Sequence, residues 1–414
     1  MSNKAEKRGL VPKLRFPEFR EAGEWEAKLL GAVCEMQAGK FVAASEISER
    51  QAEGLYPCFG GNGLRGYTKT FNQSGRYSLI GRQGALCGNV NLAEGNFYAT
   101  EHAVVTTPKP GNSTDWLFYN FCLLNLNRFA TGQAQPGLSI DVLEKVNCAT
   151  PKDEKEQQKI ADCLASLDEL ITLEVQKLDT LKTHKKGLMQ QLFPAEGETL
   201  PKLRFPEFRD EGEWEELELR PLTTKVGSGI TPTGGDKNYK TEGRPFVRSQ
   251  NVGWGELILN DVAFIDEETH QSFNSTEIKV SDVLLNITGA SIGRSAVADS
   301  RIAGGNVNQH VCIIRVKQGE LNPALLNHFL SSERGQKQID SFQAGGNRQG
   351  LNFAQIRSFN IPLPPTENEQ RRIAACLASL DDLITAQTQK VAALKTHKKG
   401  LMQQLFPTLD EVAA

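Results

Sequence analysis

From residue 154 to residue 194 the apolar positions recur in alternating steps of three and four. Ile160, Leu164, Leu167, Ile171, Leu178, Leu181, Leu188 and Leu192 fall on the a and d positions of a heptad that is broken by Glu174 and Lys185. The pattern returns at Ile373, Leu377, Leu380, Ile384, Val391, Leu394, Leu401 and Leu405, broken by Gln387 and Lys398. Each run predicts one long helix of about 40 residues, roughly 60 Å at 1.5 Å per residue. Asp153 and Thr366 are candidate N-caps. Glu156 and Glu369 stand three residues on, at capping-box spacing, and Pro194 and Pro407 stop the helices. A seam this narrow needs a partner. The other copy is the nearest, giving an antiparallel coiled coil; ordinary core packing or a homodimer zipper are the alternatives.

The two runs are one sequence written twice. Residues 156–194 and 369–407 agree at 29 of 39 positions, ending in the identical LKTHKKGLMQQLFP. A second duplicated block, PKLRFPEF, stands at 12–19 and 201–208, each copy followed by GEW. Between these ends the likeness fades but persists: GALCG (84–88) answers GASIG (289–293), ATEHAVV (99–105) answers VNQHVCI (307–313), and TGQAQPGL (131–138) answers AGGNRQGL (344–351). The chain is two copies of one module. Surface identity at Lys182, Thr183, His184, Lys185 and Lys186 suggests that both helices offer one face to the same kind of partner.

Residues 20–150 and 209–363 carry short β-type runs, YSLIG (77–81), HAVVTT (102–107), DVLLNIT (282–288) and HVCIIRV (310–316), with helices at 115–124 and 323–330. The fold class read from this is α+β: two mixed α/β domains separated by two long helices, with approximate two-fold symmetry. The divisions are an N-terminal segment 1–19, a domain 20–150, a helix 151–194, a linker 195–208, a domain 209–363, a helix 364–407 and a tail 408–414.

Net charge is only −3, so any nucleic-acid footprint must be local. It is sought in acid-free stretches, Leu55–Asn91, Leu219–Gly235, Ser300–Gly319 and Ser341–Thr366. Cations for phosphates, and Arg, Asn or Gln for base edges, are the residue types such an interface needs. The candidates are Arg65, Lys69, Arg76, Arg82, Gln83, Asn89 and Gln133 in the first domain, and Lys225, Arg248, Gln250, Asn251, Arg294, Gln309 and Arg348 in the second. His102 and His310, matched before a β-type run, are read as structural.

Other chemistry is thinly represented. The eight cysteines are scattered, with no CxxC pair, and are read as reduced, mostly buried thiols without metal. No apolar run suits a membrane helix and the N-terminus has no signal core, so the expectation is a cytoplasmic protein away from membranes. GxxxxGK[ST], GxSxG and HExxH motifs are absent. YPCFGGNGLRGY (56–67) contains the FxGxG of many adenine methyltransferases, but no [DN]PP[YFW] element accompanies it; it reads as a tight loop. The chain is expected to bind and to catalyse nothing itself. A stand-alone nucleic-acid enzyme and a coiled-coil scaffold without DNA are the competing readings.

Two variable domains alternating with near-identical helices, PKLRFPEF, EQxxIAxCLASLD…LKTHKKGLMQQLFP, and YPCFGGNGLRGY followed by SLIGRQGALCGNV resemble the specificity subunit of bacterial type I restriction-modification enzymes, over roughly 12–407. The resemblance implies two target recognition domains, each reading one half of a split, asymmetric double-stranded DNA site. It implies two methyltransferase subunits and translocating endonuclease subunits as partners. S-adenosylmethionine, ATP and magnesium would belong to those partners, with no cofactor in this chain. The repeat also places the first PKLRFPEF near the end of the second helix, with the chain termini close together.

Overall fold

The computed structural model describes residues 9–84, 86–132, 136–232, 234–343 and 350–409. The chain divides into two compact units, one made of residues 1–175 with 389–414, the other of 176–388. The long helices are Glu154–Leu192 and Glu367–Leu405, 39 residues each. Each begins in one unit and ends in the other.

The first unit pairs the opening half of one helix with the closing half of the other, antiparallel. Lys398 reaches Asp168 at 2.5 Å and Lys390 reaches Glu174 at 2.5 Å. In the second unit Lys185 reaches Asp381, also at 2.5 Å. Asp168 and Asp381, and likewise Lys398 and Lys185, occupy the same positions of the repeat. Three of the four polar breaks in the heptads, Glu174, Lys185 and Lys398, are therefore members of cross-helix ion pairs. This changes the reading of the duplicated LKTHKK: Lys185 and Lys398 are held inside the helix pair, whereas Lys182, Thr183, His184 and Lys186 are exposed. All sixteen seam positions are buried or half-buried. Burying each of Ile160, Leu164, Ile373 and Leu377 contributes about 2 kcal/mol.

The repeated blocks meet at the helix starts. Asp153 and Thr366 do cap, accepting from the amides of Lys155 (2.9 Å) and Glu369 (3.4 Å). The expected capping boxes do not form. Glu156 instead takes Arg15 Nε and Nη2 at 2.7 Å each and Trp25 Nε1 at 3.2 Å. Glu369 takes Arg204 Nε and Nη2 at 2.8 Å each and Trp214 Nε1 at 3.3 Å. A bidentate guanidinium is a stronger partner for a buried carboxylate than the helix's own amide. PKLRFPEF, GEW and the EQ of the helix are thus one three-way contact made twice. The neighbouring glutamines tie down the loop before each domain helix: Gln157 accepts from Ser113 N and donates to Gly111 O, and Gln370 accepts from Asn322 N and donates to Glu320 O. The LFP ending closes against the same tryptophans, Phe406 on Trp25 at 6.0 Å and Phe193 on Trp214 at 6.3 Å. As the repeat implies, Leu14 N donates to Gln404 O and Leu203 N to Gln191 O.

Each unit then carries a sheet. In the first it has six strands, in the order Cys34–Ala38, Ala103–Pro108, Gln73–Gly81, Val90–Ala99, Tyr56–Gly60 and Gly63–Thr68. In the second it is split into four strands (Thr223–Ser228, Val311–Val316, Val283–Asn286, Ser295–Val297) and three (Ala263–Ile265, Arg244–Val247, Asn306–Val307). The reason is local. The ten-residue strand Val90–Ala99 is continuous, pairing with Gln73–Gly81 over 90–97 and with Tyr56–Gly60 at Tyr98 and Ala99, whereas its counterpart is cut by the turns of 298–305. A small antiparallel pair completes each unit, Glu26–Leu29 with Asn147–Thr150 and Glu215–Glu218 with Asn360–Leu363. Helices Thr114–Leu124 and Pro323–Ser331 lie in the cores, Trp116, Leu117 and Phe121 packing with Ile160 and Leu164, and Leu325, Leu326 and Phe329 with Ile373 and Leu377.

Candidate nucleic-acid interface

The three faintly similar blocks of the two modules come together in each unit and are held the same way. In the first unit the strand Gln73–Gly81 runs out into Arg82–Asn89. Gly81 N donates to Asn89 O, Gly88 N to Gly81 O, Cys87 N to Gly84 O, Arg82 N to His102 O, and Leu138 N to Arg82 O, all between 2.7 and 3.0 Å. In the second unit Asn286 N donates to Arg294 O, Gly293 N to Asn286 O, Ile292 N to Gly289 O, Ile287 N to His310 O, and Leu351 N to Ile287 O, between 2.9 and 3.1 Å. The bridges Gln83 to Gly137 and Thr288 to Gly350 correspond as well. Two dissimilar sequences thus build one loop cluster.

Glycine is required where the loops turn. Gly84 and Gly88, like Gly289 and Gly293, have φ between +73° and +87°, which side chains disfavour. Gly81 lies so close to Gly61 that a Cβ would meet its carbonyl oxygen at 1.9 Å. An amide side chain then fastens each loop, Asn127 Nδ2 to Cys87 O at 2.8 Å and Gln336 Nε2 to Gly293 O at 3.0 Å. FGGNG joins the cluster as a β-hairpin turn, with Gly60 opposite Gly63 between strands Tyr56–Gly60 and Gly63–Thr68. Its counterpart is Val247–Gln250: Thr100 N donates to Phe59 O, and Asn308 N to Val247 O.

The sequence candidates divide accordingly. Arg82, Gln83 and Asn89 lie on the first cluster, Arg294 and Gln309 on the second, with Gln83, Asn89 and Gln309 exposed. Asn89 Nδ2 is 3.5 Å from Asn62 Oδ1 of the hairpin turn. Arg65 and Lys69 are exposed on and just beyond the second strand of that hairpin. Arg248 and Gln250 sit beside the second cluster and both engage Asp261, with the Arg248 guanidinium 5.4 Å from the Tyr239 ring.

Three candidates are spent within the protein. Asn251 is fully buried; its oxygen accepts from Arg248 N and its nitrogen donates to Ile258 O and Asp261, leaving nothing for a base. Arg76 is paired with both Glu94, opposite it on the neighbouring strand, and Asp115, at the start of the helix Thr114–Leu124, acids that lie beyond its acid-free stretch in sequence. Lys225 donates to Ser275 O, and burial with Arg315 nearby lowers its ammonium pKa. Gln133 and Arg348 lie outside the described residues.

Glu101 and Thr288 lie outside the acid-free stretches, and Thr231 and His310 lie inside them but are not of the residue types sought; all four line the same clusters. The match of ATEHAVV with VNQHVCI was the signal that pointed to Glu101 and His310. Among the described residues no group of three or more His, Cys, Asp or Glu is placed to hold a metal, and no helix is long and apolar enough to cross a membrane. The eight cysteines are free thiols, five of them buried and Cys122 exposed.

Comparison with known proteins meets this geometry. The model of the type I restriction modification DNA specificity domain matches twice, at 22–183 and 211–396. The MjaVIII specificity subunit of Methanocaldococcus jannaschii is 23% identical over 95% of this chain and 93% of that one. The EcoprrI specificity subunit of Escherichia coli is 47% identical, over 36% of this chain and 37% of its own length. A crystal structure of the type I restriction-modification S subunit from M. genitalium superposes with a TM-score of 0.68 at 17% identity, covering 96% of this chain and 100% of that one. A structure concerned with complex assembly and conformational transition of the type I R-M system gives 0.53 at 16% identity, covering 92% and 97%. With both modules matched and the two-unit fold shared, the chain belongs to the DNA specificity subunits of type I restriction-modification systems.

Proposed function

We propose that this chain selects an asymmetric, two-part DNA target, one half through each loop cluster, and presents that DNA to methyltransferase and endonuclease partners that carry the chemistry. The observation that carries this reading is the pair of clusters: one backbone scaffold, built twice, with different side chains on it. One scaffold implies one mode of docking, and different side chains imply different bases. Gln83, Asn89, Arg294 and Gln309 are the proposed readers of base edges. Arg65 and Lys69 are proposed to hold phosphates, which makes affinity fall steeply with salt. Arg82 and Arg248, half-buried, back the loops.

Two methyltransferase subunits, and endonuclease subunits that translocate DNA, are the proposed partners. S-adenosylmethionine, ATP and magnesium are assigned to them, and the complex to the cytoplasm. FGGNG, the feature that favoured a stand-alone methyltransferase, is accounted for as a hairpin turn.

The test is a domain exchange. With residues 20–150 replaced by another recognition domain of the family, the reconstituted complex should methylate a target changed in one half and unchanged in the other. If both halves change, or neither, the modular reading is wrong.

A further inference from the structure

Gln309 stands at the lip of the second cluster, exposed, yet neither end of its amide is loose. Its oxygen accepts from the Thr231 hydroxyl, and its nitrogen meets His310 Nε2 at 3.2 Å. His310 Nδ1 is in turn hydrogen-bonded to the Thr288 hydroxyl, and the turn beneath is fixed by His310 N donating to Asn308 Oδ1 at 3.0 Å. An imidazole whose Nε2 accepts from the amide carries its proton on Nδ1 and donates it in a hydrogen bond to the Thr288 oxygen, so the donations run in one direction, from Thr231 through Gln309 and His310 to Thr288. An amide oxygen has two acceptor sites and an amide nitrogen two donors. One of each is used. The amide therefore keeps one donor and one acceptor, in an orientation set by its neighbours. The count is the same if the amide is turned over and the imidazole takes its other tautomer.

A side-chain amide with one free donor and one free acceptor matches the major-groove edge of adenine, which offers N7 as acceptor and N6–H as donor. We propose that Gln309 is the specificity-determining residue for an adenine in the half of the target read by residues 209–363, with Thr231 and His310 as positioning residues. This rests on the functional reading above and adds the identity of a base to it.

The first unit supplies the contrast. Glu101 occupies the position of Gln309, the turn being marked by His102 N donating to Thr100 Oγ1 at 3.4 Å, and His102 Nε2 lies 3.2 Å from Glu101 Oε1. A carboxylate only accepts, and Glu101 Oε2 is buried with no donor in the free protein. The base it suits offers an exposed amino group and no obligatory acceptor contact, as cytosine does through N4. The same scaffold thus asks for adenine in one half and cytosine in the other. The substitution Gln309→Glu recreates in the second unit the carboxylate and imidazole pair of the first.

The experiment uses the complex of the full chain with its methyltransferase partner, selecting bound duplexes from a pool randomised across the target. Wild type should show an adenine in the second half that Gln309→Ala relaxes, by roughly ten- to hundredfold in preference. Gln309→Glu should replace that adenine with cytosine, Glu101→Gln should do the reverse in the first half, and each should leave the other half untouched. Thr231→Val, which keeps Gln309 but removes the donor that orients it, should weaken the adenine preference by a larger factor than it weakens total DNA binding. Unaltered selection by Gln309→Ala, a change in the wrong half, or loss of all binding by that truncation overturns the inference. A wild-type complex that selects no sequence at all would instead sink the functional reading, so the two failures are told apart.

Discussion

His328 shows how much one position can differ between copies of a repeat. It is buried, with Nδ1 3.9 Å from Asp381 Oδ2 and Lys185 close by. Its counterpart, Tyr119, donates its hydroxyl to Asp168 at 2.8 Å beneath Lys398. Burial, then Asp168, pushes the Tyr119 hydroxyl pKa up, so the phenol stays neutral. Burial first, and Lys185 second, push His328 down to about 4, against a weaker lift from its hydrogen bond at the Ala374 backbone. The folded protein therefore favours neutral His328 while the unfolded chain takes up a proton near pH 6.5. Its contribution is complete above pH 6.5 and is lost as pH falls from there toward 4. Between pH 7.5 and pH 5 the chain should lose about 2 kcal/mol more than a His328→Tyr variant, read by urea denaturation at the two pH values. Equal losses in the two proteins would contradict this account. No sequence pattern distinguishes this histidine from an exposed one, because the burial that shifts it comes from residues far away in the chain.

At the scale of elements, the helices were legible in the sequence because a heptad is a local code: each side chain's facing follows from its number. What the helix starts do was not legible. Capping-box spacing at Asp153–Glu156 and Thr366–Glu369 describes a contact three residues long, and the structure replaces it with contacts to Arg15 and Arg204, more than a hundred residues away. With their side chains 8% exposed against glutamates at 1%, these are buried pairs. Breaking such a pair strands a charge, at about 3–5 kcal/mol. Glu156→Gln should therefore lower the unfolding free energy by about 3 kcal/mol, measured by denaturant titration, and Glu369→Gln by a similar amount. Effects below about 1 kcal/mol would mean that the guanidinium finds water in place of the carboxylate. The duplication itself was the available clue, since PKLRF, GEW and EQ are kept together in both copies.

At the scale of the molecule, the first unit is assembled from both ends of the sequence. Leu10 and Trp25 share one core cluster with Leu405, Phe406 and Leu409. The second unit makes the corresponding contacts through a continuous stretch, Phe193 to Trp214. Joining the present termini with a short linker and opening the chain within 195–200 converts the discontinuous corner into a continuous one and the reverse. The permutant should fold, by circular dichroism and thermal melting, and keep sequence-specific DNA binding with its methyltransferase partner. Failure to fold would show that the corner in the second unit depends on chain connectivity, and that the two corners are not interchangeable.

By itself the sequence determined the repeat, the long helices with their seam, the principal strands and helices of the domains, and the family, because each is carried by local periodicity or by duplicated words. Its three faint matches marked the loops that the fold brings together in each unit. Only the tertiary structure decided which side chains on those loops are available: Asn251, Arg76 and Lys225 are engaged by groups distant in sequence, and Gln309 is oriented by Thr231 and His310. Which face a residue presents follows from its own number along the chain, whereas whether a polar group is already satisfied depends on partners that folding brings from elsewhere.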